Sequence, residues 1–103
     1  MRIVAHRPSA WFLAEDDGDL LLDVNCNSGP AGFSVLARLT PAERAEHAAR
    51  GDAALDALAG RIQDAGPPAF AQRDVGREIG ERFHACVMAW LAARRAAGDP
   101  PAP

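Results

Sequence analysis

The chain has 103 residues, 49% of them hydrophobic and 24% charged, with a formal net charge of −3. That length holds one domain around one core, burying roughly two-thirds of the unfolded chain's surface. The composition excludes a disordered chain, no apolar run approaches the ~20 residues of a membrane span, and the mild negative charge argues against a nucleic-acid partner.

In the first segment the apolar residues are interrupted by His6, Arg7 and Pro8, unlike a secretory signal, which predicts a cytoplasmic location. All 11 basic side chains apart from the histidines are arginine, and the absence of lysine with abundant alanine points to a GC-rich bacterial source. Ile3 to Ala5 offers a short first strand ended by Arg7-Pro8-Ser9, since proline removes a backbone donor. Trp11 to Ala14 makes a second strand, and the following Asp-Gly pair, Asp17 and Gly18, predicts a type I′ hairpin.

The stretch from Leu20 to Leu39 reads as two further strands. Leu20, Leu22, Val24 and Cys26 share one face, and after Gly29-Pro30 so do Phe33, Val35, Ala37 and Leu39. Pairing Cys26 with Phe33 aligns Val24 with Val35, Leu22 with Ala37 and Leu20 with Leu39, whereas a slip of one residue would scatter these sets. The hairpin register adds Trp11 opposite Val24 and Leu13 opposite Leu22.

Thr40-Pro41-Ala42-Glu43 then predicts a helix start: threonine as N-cap, proline at the first helical position and glutamate completing a capping box. Gly51 breaks this helix, Asp52 opens a second segment carrying Leu55, Leu58 and Ile62, and Gly66-Pro67-Pro68 stops it. Phe70 is expected against the core. Asp74 is expected to cap a last helix whose apolar face holds Val75, Ile79, Phe83, Cys86, Val87, Trp90 and Leu91. Gly76 and Gly80 within that face suggest close packing, and Glu78–Arg82 and Arg77–Glu81 are spaced as surface pairs.

The expected fold is therefore α+β, a single domain over residues 1–97: an antiparallel meander of three to four strands (about 2–39), then two to three helices (about 41–65 and 74–97) packed on one face. Residues 98–103 are expected as a disordered tail.

Several chemistries can be weighed. Cys26 with His84 is a candidate thiolate–imidazole pair, but the pattern puts Cys26 on the core face, where a thiol is packed and not activated. Both cysteines are expected to be reduced. No metal or cofactor is expected: the histidines His6, His47 and His84 fall in different elements, the acidic run Glu15, Asp16, Asp17, Asp19 lacks a calcium loop's length and glutamate, and the glycines form no phosphate loop. The opposite sheet face, with Phe12, Leu21, Asp23, Asn25, Ser34, Leu36 and Arg38, mixes an apolar centre with a polar rim and reads as a protein-interaction surface, flanked by the acidic turn.

The segment FLAEDDGDLLLDVNCNSGPAGFSVLARLTPAE with its helical second half resembles small uncharacterised bacterial single-domain α+β proteins. The resemblance carries no activity. The sequence reading is thus a cytoplasmic, non-enzymatic protein-binding domain, acting on a protein partner or as a homodimer, with immunity-type neutralisation as one version. The alternative is a small enzyme or small-molecule-binding domain using Cys26 and His84.

Overall fold

The structure is a computed structural model that describes residues 1–8, 10–26, 33–65, 67–70 and 72–97. The turn at Gly29-Pro30 and the tail 98–103 lie outside the described residues. Strands β1 (Arg2–Arg7), β2 (Trp11–Asp16), β3 (Asp19–Cys26) and β4 (Phe33–Arg38) form one antiparallel sheet in sequential order. Helices α1 (Pro41–Arg50) and α2 (Asp52–Ala65) follow, then a single 3₁₀ turn (Pro67–Phe70) and α3 (Gly76–Ala96). The fold is α+β with an antiparallel meander, as the alternation and the order of elements predict.

The local chemistry explains each boundary. Asp17 and Gly18 have φ of +53° and +88°, so both central residues of the β2–β3 turn occupy the left-handed region a type I′ turn demands. Trp11 pairs with Val24, Leu13 with Leu22, Leu22 with Ala37 and Val24 with Val35, and the Leu39 amide donates to the Leu20 carbonyl at 2.8 Å. The Glu43 amide donates to Thr40 Oγ1 at 3.2 Å and the Thr40 amide to Glu43 Oε1 at 2.9 Å, completing the capping box. Gly51, at φ +66°, ends α1. The last helix differs in detail: it begins at Gly76, and Asp74 lies one residue outside the cap position, its Oδ1 accepting from the Gly76 amide at 2.9 Å.

The helices do not share one face of the sheet. Trp11, Leu13, Leu22, Val24, Val35 and Ala37 pack with Leu55, Leu58, Ala59 and Ile62 of α2, and Phe70 is tucked against this cluster as expected. Ala14, Leu21 and Leu36, on the opposite face, pack with Phe83 of α3, joined by Ile3, Phe12, Ile79 and Val87. The expectation that all helices lie together is corrected by the path of the connector. Asp74 bridges to Ala37 and the Val75 amide donates to the Leu36 carbonyl at 2.8 Å, so the chain rounds the β4 edge and delivers α3 to the far side. The result is a sheet between two helical layers. Phe83 and Trp90 consequently belong to the second face, not to the face of Trp11 and Leu13.

Arginines fasten the layers. Arg7 donates to Asp56 Oδ2 at 2.8 Å and Oδ1 at 3.2 Å, and the buried Trp11 indole N–H donates to Asp56 Oδ1 at 2.9 Å, tying α2 to the sheet. Arg73 reaches Glu43 at 3.1 Å and the Arg38 carbonyl at 3.0 Å, joining α1, the connector and β4. Burial opposes ionisation of Glu43, but its hydrogen bonds from Arg73 and Thr40 outweigh that and hold its carboxyl below the usual range. At the N-terminal edge β1 bulges between Ile3 and Ala5, leaving Val4 exposed.

Asp56→Ala leaves the Trp11 N–H without its acceptor, an expected loss of about 1–2 kcal/mol in urea unfolding. Asp56→Asn keeps an acceptor and is expected to lose less, with an unchanged denaturant slope.

Candidate functional site

Between the second sheet face and the first half of α3 runs a half-open cleft of about 300 Å³. Its floor is the lateral row that strand pairing makes from Phe12, Asp23 and Leu36, its far wall is Phe83 and Val87, and Asp74 and His84 stand along it. A second hollow of about 250 Å³ shares Phe12, Asp23 and Ser34 with the first and extends towards Ala10 and Asn25. Asp23 and Ser34 thus face both hollows.

Two glycines of α3, Gly76 and Gly80, line the cleft. A methyl group built at Gly80 would meet nothing within 4 Å, so this glycine is not a close-packing contact, as its place on the apolar face suggested, but leaves the space open. Gly76 serves differently: a side chain there would come within 3.0 Å of Asp74 Oδ1. Asp74 is held firmly, its Oδ1 accepting from the amides of Leu36 at 3.3 Å and Gly76 at 2.9 Å.

Asp23 is the unusual group. Burial beneath α3, reinforced by the negative charge of Asp74, pushes its carboxyl up from 3.8 to about 6. Among the described residues no cation reaches it, and none of the described hydrogen bonds joins Ser34 or His84 to either carboxyl. The arrangement therefore offers two carboxyls, a hydroxyl and an imidazole set around an apolar floor, suited to holding a ligand's positive charge. It shows none of the linked hydrogen bonds that activate a nucleophile.

The residues expected on an open interaction surface are sorted by the fold. Leu21 and Leu36 are buried under α3, at 1% and 5% exposure, and cannot meet a partner. Phe12 is half-buried, its ring edge-on to Trp90 at 5.8 Å and stacked on His6 at 5.5 Å. Asn25, Ser34 and Arg38 stay exposed at the margin and Asp23 lies in the cleft. The acidic turn is largely neutralised from within: Glu15 by Arg2 at 3.4 Å, Asp19 by Arg38 at 3.1 Å, and Asp16 by Arg82 at 2.9 Å and the terminal amine at 3.5 Å. Asp17 stays exposed in the turn. Arg82 thus serves the sheet and not the expected pair with Glu78.

Of the reactive pair, His84 is exposed on α3 at the cleft, while the Cys26 side chain lies outside the described residues. Cys86 is a free, half-buried thiol donating to the Met1 carbonyl at 3.5 Å. Among the described residues no group of three or more His, Cys, Asp or Glu converges as a metal site, and no helix is long and apolar enough to cross a membrane.

Sequence reasoning missed Asp74 as a site residue. It read as a helix cap, and nothing in the spacing ties position 74 to position 23; the meeting is made by the connector's turn around β4. No protein-family model, curated protein or solved structure matches the chain.

The raised carboxyl of Asp23 stabilises the folded state fully below 3.8 and loses that contribution as pH rises through about 6. Asp23→Asn is accordingly expected to be more stable than the wild type by about 1–3 kcal/mol at pH 8, the gap closing near pH 4. Chemical denaturation across that range reads the difference.

Proposed function

We propose that the protein is a non-enzymatic binding domain working by protein–protein contact in the bacterial cytoplasm, and that its cleft receives a basic side chain of the partner. The observation that carries this reading is Asp23: a half-buried carboxyl beside Asp74 with no compensating cation among the described residues. An incoming lysine or arginine supplies the missing charge, and its aliphatic stem lies along Phe12 and Phe83. Asn25, Ser34 and Arg38 at the margin provide polar rim contacts. Neutralisation of a partner in the manner of immunity proteins is one concrete version.

This reading refines the open-face interface expected from sequence. The apolar centre of that face, Leu21 and Leu36, is covered by α3, so recognition narrows from a broad sheet surface to a slot that accepts one projecting group. The alternative, a small-molecule site, draws its support from the cleft's volume of about 300 Å³.

The test uses short lysine- and arginine-containing peptides titrated into labelled protein and followed by nuclear magnetic resonance. Shifts of Asp23, Ser34, Phe83 and His84 signals, tightening as pH rises through about 6 and lost in Asp23→Asn, are expected. Signals that stay unmoved, or move equally in Asp23→Asn, overturn the reading. Native mass spectrometry showing a retained small molecule transfers the cleft to the alternative.

A further inference from the structure

Helix α3 is exposed along the face turned away from the sheet. Phe83 is its one buried residue, and at about 100° per residue Glu81, Ala85, Met88 and Ala92 lie within roughly 40° of the direction opposite Phe83. With Glu78 and Arg95 these positions form a seam spaced 3, 4, 3, 4, 3, a heptad repeat running most of the helix. All six are exposed, and Met88, at 52%, is one of only two large hydrophobic residues so exposed among the described residues.

The charges on this seam are arranged end to end. Glu78 and Glu81 occupy its first half and Arg95 its last turn. Of the neighbouring arginines, Arg82 is committed to Asp16 at 2.9 Å and Arg94 lies over the Trp90 ring at 4.5 Å, while Arg77 stays exposed beside Glu78. Glu78, Glu81 and Arg95 have no described partner within the chain.

We infer that this face pairs with a second copy of the same chain, the two α3 helices running antiparallel about a two-fold axis. In antiparallel heptad packing each position of one class faces the other class on the partner. The seam then sets Ala85 against the partner's Met88, Glu81 against the partner's Ala92 and Glu78 against the partner's Arg95, and symmetry repeats each contact. Each methionine enters the space left by an alanine, and the alanines let the helix axes approach to the short end of the usual 8–10 Å. Glu78 of each helix lies against Arg95 of its partner, and the two helix dipoles oppose. A parallel pairing would instead place Glu78 and Glu81 beside their own copies. The pattern is self-complementary in one direction only, and this charge complementarity selects a second copy as the occupant. The pairing leaves the cleft on the opposite side of α3 open and does not rest on the function proposed for it.

Sedimentation equilibrium of the full chain at low salt tests the inference, over ~5 to ~500 µM. A concentration-dependent monomer–dimer equilibrium is expected, with no larger species. Met88→Glu is expected to abolish it, Arg95→Glu to weaken it roughly tenfold, and Glu78→Arg combined with Arg95→Glu to restore it to within about threefold of the wild type. Circular dichroism confirms that each exposed-site variant keeps its helix content. A wild type that stays monomeric throughout, a dimer indifferent to Met88→Glu, or a charge swap that fails to restore association overturns the inference.

Discussion

Leu21 and Leu22 are neighbours in the chain, point to opposite faces of the sheet, and neither meets water. The rest of the structure depends on that condition. A strand buried on both sides needs a layer on each face, and a meander of four strands supplies none. Helix α2 covers one side through Leu55, Leu58, Ala59 and Ile62, and α3 covers the other through Phe83 with half-buried Ile79 and Val87. The unequal thickness of the two covers matters. The first is a closed core of Trp11 and aliphatic side chains, while the second holds a cleft lined in part by Gly76 and Gly80.

The strand register was legible because period-two alternation left a single alignment of Leu20–Leu39 with Trp11 and Leu13, and the turn and cap residues agreed with it at every boundary. The side taken by α3 was not legible. Periodicity reports that a helix has an apolar stripe but not which surface receives it, and Leu21 and Leu36, whose same-face neighbours two positions away are Asp19, Asp23, Ser34 and Arg38, look the same as scattered surface residues. The hydrogen bond from the Val75 amide to the Leu36 carbonyl decides the matter, and it is a contact between segments nearly forty positions apart. The candidate site follows the same division. Asp23 was visible as a polar residue on the second face, but its burial and its meeting with Asp74 are products of the connector's route.

The electrostatics are organised by arginine. Arg7, Arg38, Arg73 and Arg82 each bind a carboxylate in another element, and three of them consume the acids of the β2–β3 turn or the α1 cap. Asp23, largely buried, has no such arginine among the described residues. On the same face His6, packed against Phe12 and Trp90, has its pKa lowered by burial and by Arg94. The two groups oppose one another in stability: protonation of Asp23 favours the folded state, whereas protonation of His6 as pH falls below its ordinary 6.5 disfavours it. The docking of α3 therefore carries two titrating groups whose protonation acts on stability with opposite sign.

The two margins of the sheet end differently. Along β4 the Leu36 amide and carbonyl are already taken by Asp74 and Val75, so a strand added there would lack those two hydrogen bonds. Along β1 the bulge at Val4 interrupts the ladder and Arg2 and Arg7 bracket it. An edge partly occupied at Leu36 and an opposite edge interrupted by a bulge are both less open to strand addition than a flat, regular edge. The connector that delivers α3 thus also occupies the backbone groups of Leu36 that an added strand would need.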